Sequence, residues 1–193
     1  IWKLLLWRDD TDGIKALHDS GEWTELDMVV YITKDSNGIT WYYCALAWAA
    51  ANKQIGVMGL LIQLGAKTEE EREWHALPSN MAAGVGCIEG LKLLRETGCN
   101  LSAKGSPTPV HFATQAGHLP ALRYLVKSGC SLECVNNNDF TVAHYAADED
   151  HQNIIQQLHD WGQPLNKNTA NGSTPAVRAD RQGHSQCADL IRR

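Results

Sequence analysis

The sequence predicts an all-α solenoid of about six helix-turn-helix units that are joined by hairpin-like fingers. Segments of one pattern restart about every 33 residues, and each contains two short apolar stretches at helical spacing. The glycines that end the second stretch, Gly65, Gly98, Gly129 and Gly162, are separated by 33, 31 and 33 residues. A chain with this period stacks supersecondary units, and such stacks present a surface instead of enclosing a catalytic pocket.

The period divides the chain into six units, of which the first is degenerate and the last is truncated. The chain does not begin with methionine and ends within a helical pattern, so we expect a fragment of a longer protein. We expect a single domain over residues 1–193, with approximate units 1–34, 35–71, 72–102, 103–135, 136–168 and 169–193.

The best-preserved unit, TPVHFATQAGHLPALRYLVKSGC, shows how its residues specify two helices. Threonine caps a helix, and the proline after it is tolerated at the first helical position. A Gly-His pair marks the turn to the second helix, and a glycine ends that helix in the left-handed conformation. The residues with such structural roles are Thr108, Pro109, His111, Gly117, His118, Gly129, Thr141, His144 and Gly162.

This unit resembles the ankyrin repeat, whose consensus opening is Thr-Pro-Leu-His-x-Ala. Residues Thr108 to Ala113 match that opening with one change, Val110 for leucine. The resemblance covers roughly residues 35–193, and we expect it to extend to the whole chain. It implies that His111 and His144 form hydrogen bonds across the loop of their own repeat.

The first finger departs from the spacing of the other units. Asp35 to Thr40 fits the family's finger-tip pattern Asp-x-x-Gly-x-Thr seven residues late, and Thr40 lies 25 residues before Gly65. Thr108 lies 21 residues before Gly129, so we expect the first helix after this finger to be longer by about one turn. Two interpretations remain open, which are repeat decay near a terminus and a specific binding element.

Composition and charge narrow the classes of partner. Hydrophobic residues make up 44% of the chain and charged residues 20%, which is ordinary for a globular protein. The formal net charge of −5 argues against a non-specific phosphate-binding surface. No apolar run reaches the length of a membrane span, and no signal peptide opens the sequence. We expect a monomeric cytoplasmic protein without a nucleic-acid or membrane partner.

The six cysteines and the histidines show no catalytic or metal-binding pattern. Cys130 and Cys134 form a C-x-x-x-C segment, but no second Cys/His pair follows at zinc-site spacing. Phosphate-binding loops and hydrolase motifs are also missing. We expect structural free thiols in a reducing compartment, with a zinc site and a redox role as the alternatives. We expect no metal, no cofactor and no enzyme activity in this segment.

The resemblance implies that a partner binds the concave face, which finger tips and the outward positions of each first helix form. Aromatic side chains at sites that folding does not require are candidate anchors, with core packing as the alternative. Acidic residues beside them suit a basic, partly apolar partner, although a charge run is also typical of a solvated face. Arg178 and Arg181 reverse the sign of the charge. The candidate partner-binding residues are Trp41, Tyr42, Glu73, Trp74, Asn137, Asn138, Phe140, Asp148, Glu149 and Arg181.

The remaining tryptophans divide into two groups. Trp23 adds to the aromatic residues of the long first finger and is a further candidate for that surface. Trp7, Trp48 and Trp161 lie within helical patterns or beside them, so we expect them to pack in the core or between helices.

The sequence thus predicts a protein–protein interaction module. One alternative is a substrate-recruiting or regulatory ankyrin domain of a larger enzyme. A second is a bacterial effector that uses its repeats on host proteins in the host cytosol.

Overall fold

The structure, a computed structural model, describes residues 2–23, 29–34, 40–68, 76–102 and 107–193. The chain divides into two compact units, Ile1–Leu101 and Ser102–Arg193. The first unit contains α1 Trp2–Trp7, α2 Thr11–Asp19, β1 Val29–Lys34, β2 Thr40–Cys44, α3 Ala45–Ala51, α4 Ile55–Gln63, α5 Pro78–Gly84 and α6 Ile88–Glu96. The second contains α7 Pro109–Gln115, α8 Leu119–Lys127, α9 Val142–Asp148, α10 Gln152–Asp160, α11 Pro175–Gln182 and α12 Ser185–Arg192.

In the first unit, helix pairs stack through small side chains on the first helix of each pair. Helix α3 packs against α5, and α4 packs against α2 and α6. Ala49 and Ala82 are fully buried, and an alanine lets neighbouring helices approach closely. The second helices bury larger side chains such as Leu91 and Leu94, each of which stabilises the fold by about 1.5–3 kcal/mol.

The second unit repeats this arrangement. Helix α9 packs against α7, α10 and α11, and α10 packs against α12. Ile154, Ile155 and Leu158 in α10 are fully buried, and Leu158 shares one helix face with both isoleucines because residues three and four positions apart lie on the same side. The all-α stack of helix pairs that the sequence predicts is therefore confirmed for the residues described.

The distance from helix start to closing glycine is constant in four of the helix pairs. The residue that caps the first helix and the glycine that follows the second are 21 residues apart in Cys44–Gly65, Leu77–Gly98, Thr108–Gly129 and Thr141–Gly162. These four glycines have φ between 68° and 98°, the left-handed conformation that glycine adopts at little cost. Thr108 and Thr141 are N-caps, and Pro109 occupies the first turn of α7.

The expected extra turn in the first helix after the long finger is wrong. Helix α3 has seven residues, as α5, α7 and α9 do, and its N-cap is Cys44 instead of Thr40. The extra residues form β2, which pairs antiparallel with β1 in register Lys34 opposite Thr40. Helix length is set by packing against neighbouring helices, whereas a hairpin lengthens without disturbing the stack.

One backbone position recurs in each of the six helix pairs that the structure describes. The residue in the turn between the two helices of each pair has a positive φ in every case. Three of these residues are glycines, Gly86, Gly117 and Gly183, with φ of 68°, 75° and 85°. The others are Asp9, Lys53 and Asp150, with φ of 56°, 59° and 55°, although most side chains disfavour this conformation.

We predict that Cys44→Thr stabilises the protein by roughly 0.5–1 kcal/mol, because a hydroxyl oxygen accepts a capping hydrogen bond better than a sulfur. The Cys44 Sγ now accepts from the Ala47 N–H at 3.5 Å. Urea unfolding of wild type, Cys44→Thr, Cys44→Ala and Thr40→Ala measures the effect. A larger loss in Thr40→Ala than in Cys44→Ala would contradict the assignment of Cys44 as the cap.

We predict that Gly117→Ala destabilises the protein more than Gly183→Ala does. Both glycines have positive φ, so both changes carry the conformational cost of about 1–2 kcal/mol. At Gly117 a Cβ would also lie 2.6 Å from Cε1 of His151, whereas nothing lies within 4 Å of a Cβ at Gly183. Thermal unfolding of both variants provides the comparison, and equal losses would show that His151 moves aside freely.

Candidate functional site

The finger Asn136–Phe140 is held by one side chain that the sequence did not single out. The Asn136 Oδ1 accepts hydrogen bonds from the N–H groups of Asn138, at 2.8 Å, and Phe140, at 3.0 Å. The backbone closes the same turn, since the Asn136 N–H donates to the Phe140 carbonyl at 3.0 Å. Asn137 and Asn138 are exposed at the tip. The finger therefore presents two amides on a fixed backbone.

The same side chain ties the finger to helix α9. The Asn136 Nδ2 donates to the Tyr145 hydroxyl at 2.8 Å, and burial raises the pKa of Tyr145. The signal for Asn136 lay in its place at the start of the finger, where a short amide side chain reaches its own backbone two residues on.

Phe140, a predicted anchor, is half-buried among side chains of the second unit. Its ring centroid lies 5.2 Å from that of His144 and 6.2 Å from that of Tyr145, and the Arg178 Cζ lies 4.5 Å from its centroid. Phe140 therefore has packing partners of its own and also faces a cation.

Asp148, one of the acidic residues predicted to bind a partner, forms an ion pair with Arg178 of the next repeat. The Arg178 Nε donates to the Asp148 Oδ1 at 2.6 Å, and the side chains are 27% and 18% exposed. The His184 Nε2–H donates to the Asp148 carbonyl at 3.1 Å, which fixes the end of α9. Glu149 and Arg181 are exposed. The structure thus brings Phe140 and Asp148 together on Arg178, which pattern reasoning had treated only as a change of sign.

The repeat histidines join each helix start to the following finger. The His144 Nδ1 accepts from the Thr141 N–H at 3.1 Å, so its proton is assigned to Nε2, which donates to the Ser173 carbonyl at 3.1 Å. His111 accepts from the Thr108 N–H at 3.2 Å and hydrogen-bonds the Phe140 backbone. The expected hydrogen bond within the repeat is present, and a second bond reaches the next repeat.

Burial keeps both imidazoles neutral. It lowers the pKa of His111 to about 4, although hydrogen bonds to the Phe140 and Cys134 backbone raise it. Burial also lowers the pKa of His144, against the raising effects of the Ser173 carbonyl and the Asp148 carboxylate. A protonated Nδ1 could no longer accept from the threonine N–H. Protonation of either histidine would therefore remove the hydrogen bond that caps its helix.

Cys134 and His111 are close together, but the local chemistry opposes a nucleophile. The Cys134 Sγ lies 3.9 Å from the His111 Nδ1 and 3.5 Å from the Thr108 Oγ1. Burial raises the pKa of the thiol and lowers that of the imidazole, which is the reverse of an activated Cys–His pair. The pair is therefore suited to packing and capping.

Several candidate residues fall outside this cluster. Glu73 and Trp74 lie outside the residues that the structure describes. The backbone places Trp41 and Tyr42 in strand β2, before the N-cap Cys44 of α3, so neither residue belongs to the helix start where it is expected. Trp23, expected on the surface of the first finger, is instead 3% exposed and belongs to the core.

A tryptophan that the sequence assigned to packing is exposed. Trp7 is 69% exposed at the end of α1, and Leu4 on the same helix is 53% exposed. The Trp7 ring lies 5.9 Å from the ring of buried Trp48. Helix α1 has six residues, and so short a helical pattern did not reveal which face is buried.

The structure carries all six cysteines as free thiols. Within the described ranges, no group of three or more His, Cys, Asp or Glu side chains is arranged to hold a metal ion. No helix in the part of the chain that the structure covers has the length and apolar character to span a membrane.

Comparison with known proteins finds similarity to proteins that contain ankyrin repeats. Residues 79–169 match the family model described as ankyrin repeats (three copies). The chain is 34% identical over 113 residues to ankyrin repeat domain-containing protein 53 of Homo sapiens, covering 53% of this chain and 21% of that protein. The Macaca fascicularis protein of the same name is 33% identical over 113 residues, covering 53% and 22%. A Caenorhabditis elegans transient receptor potential cation channel subfamily A member 1 homolog is 29% identical over 126 residues, covering 65% and 10%.

We predict that the free energy of unfolding falls as the pH is lowered from 6.5 to about 4, where His111 titrates in the folded state. The folded state binds fewer protons than the unfolded state in this window, so acid favours unfolding. His111 contributes at most about 3 kcal/mol, at about 1.4 kcal/mol per pKa unit.

Urea unfolding at several pH values, compared between wild type and His111→Gln, isolates this contribution. Glutamine retains an acceptor for the helix start but does not titrate. The same pH dependence in both proteins would show that His111 is not responsible.

Proposed function

Because this chain belongs to the ankyrin repeat family, we propose that it binds a partner protein or peptide through its finger tips and the outward positions of its first helices. Ankyrin repeats are generally protein-interaction modules. The three relatives are longer proteins, of which the matched part makes up between 10% and 22%.

The observation that carries the proposal is the contrast in burial along α9 and its finger. Side chains that face the stack, such as Ala146 and Ala147, are fully buried, whereas Asn137, Asn138 and Glu149 are exposed. These exposed residues are polar, and Asn136 holds the backbone that carries Asn137 and Asn138. A polar surface on a fixed backbone recognises a partner with little ordering cost.

The partner that we propose is basic and partly apolar. Asp139, Glu149 and Asp150 are exposed near the finger tip and the end of α9, and they supply negative charge. Phe140 and Tyr145 supply half-buried apolar surface beside them. Asp148 belongs to this face, but its charge is compensated by Arg178 in the free protein. Arg181 adds a positive charge on α11 and favours a partner of mixed charge at that end.

A second candidate function is a recruiting or regulatory domain within a larger protein. The observation that favours it is the small part of each relative that the match covers. The interaction surface is the same in both cases, so this candidate differs in what the rest of the protein does.

We predict that Glu149→Lys weakens partner capture at least about tenfold, because it reverses an exposed charge on the proposed face. Quantitative affinity capture from lysate provides the measurement. The matched control is Asp160→Lys, the same charge reversal at an exposed position of the second helix α10 in the same repeat. If both variants reduce capture equally, or neither does, the binding face lies elsewhere.

A further inference from the structure

The Arg178 guanidinium is held by two groups that together recognise an arginine side chain. A carboxylate, Asp148, accepts from its Nε at 2.6 Å, and an aromatic ring, Phe140, lies 4.5 Å from its Cζ. Charge-assisted hydrogen bonds and cation–π contacts are the interactions that select a planar cation. Arg178 therefore shows how a guanidinium fits between the finger and the end of α9.

We propose that Asp148 and Phe140 form a guanidinium-binding site, which Arg178 occupies in the free protein and which an arginine of the partner takes by displacing it. This inference rests on the proposed function and names the chemistry of one partner side chain. Arg178 is then an internal competitor that sets the affinity of the site.

The two receiving groups are positioned independently of Arg178. The Asn136 Oδ1 accepts from the Phe140 N–H at 3.0 Å, and the Phe140 ring packs against His144. The His184 Nε2–H donates to the Asp148 carbonyl at 3.1 Å. Because the finger and the helix end have these other attachments, the site keeps its shape when the arginine leaves.

Arg178 itself is held by few contacts and can exchange. Its hydrogen bond to Asp148 uses one of the five N–H donors of a guanidinium, and its Nη atoms have no hydrogen-bond partner among the described residues. Its side chain is 27% exposed, so solvent and a partner can reach it. A partner arginine that also contacts exposed Glu149 would have one more attraction than Arg178 has.

The other repeats show that folding does not require an arginine at this position. Arg178 lies four residues after the N-cap Thr174, and the same position holds Phe112 and Tyr145 in the two preceding repeats. The position of Asp148, seven residues after its N-cap, holds Gln115 in the repeat before and Arg181 in the repeat after. The pairing of an acid with an arginine is therefore particular to this step of the stack.

The test titrates a defined probe, N-acetyl-tetraarginine amide, into wild type, Arg178→Ala and the control Arg181→Ala. The two variants remove the same charge from α11, but among the described residues the ion pair with Asp148 comes from Arg178 and not from the exposed Arg181. We expect Arg178→Ala to bind the probe about tenfold more tightly than Arg181→Ala does, with NMR shifts at the Phe140 and Asp148 amides. Equal affinities, or shifts elsewhere, would overturn the proposal.

Two further variants control for loss of stability and for binding at another site. Arg178→Gln also frees Asp148 while keeping polar bulk, and we expect the same tighter binding if Arg178→Ala proves unstable. Adding Asp148→Asn to either variant should abolish the gain, and an unchanged gain would also overturn the proposal. Partner capture with Glu149→Lys does not use this probe. Normal discrimination in partner capture together with equal probe affinities would reject the guanidinium site alone, whereas failed partner capture would reject the proposed function.

Discussion

The second unit depends on the hydrogen bonds that one histidine makes in two directions. His144 caps its own helix through Nδ1 and holds the next finger through Nε2 at the Ser173 carbonyl. An imidazole can accept at one nitrogen and donate at the other only while it is neutral. Burial enforces that state by lowering the pKa of His144. Local capping and the link between repeats therefore rest on one protonation state.

The corresponding link from His111 to the Phe140 backbone positions the finger Asn136–Phe140, and that finger positions the Phe140 ring of the candidate site. Phe140 ends the finger whose backbone His111 contacts, and its ring packs against His144. Arg178, one repeat further along, then meets both the ring and Asp148. Residues that are far apart in sequence come together because the hydrogen bonds between neighbouring repeats fix the position of each repeat relative to the one before it. The net charge around Phe140 and Asp148 therefore depends on residues from two neighbouring repeats, since Arg178 of one repeat neutralises Asp148 of the other.

The first unit shows which part of a repeat can change. Its long finger becomes a hairpin, β1 and β2, while α3 keeps the seven residues of α5, α7 and α9. A longer helix would extend beyond the helices that it packs against, whereas an antiparallel hairpin satisfies its own backbone hydrogen bonds. The N-cap Cys44 lies 21 residues before Gly65, the same separation as in the other three pairs, although this cap is a cysteine where α7 and α9 have a threonine.

The sequence by itself determined the helix pairs and their spacing, because glycine, proline and capping residues act through local backbone geometry. It did not determine the extent of the hairpin, since Thr40 is the better capping residue but packing starts the helix after Cys44. It also misjudged Trp7 and Trp23, whose burial depends on what neighbouring repeats place against them. The pairing of Arg178 with Asp148 and Phe140 was decided by the tertiary structure, because ion pairs and ring contacts between repeats depend on distances that no local pattern records.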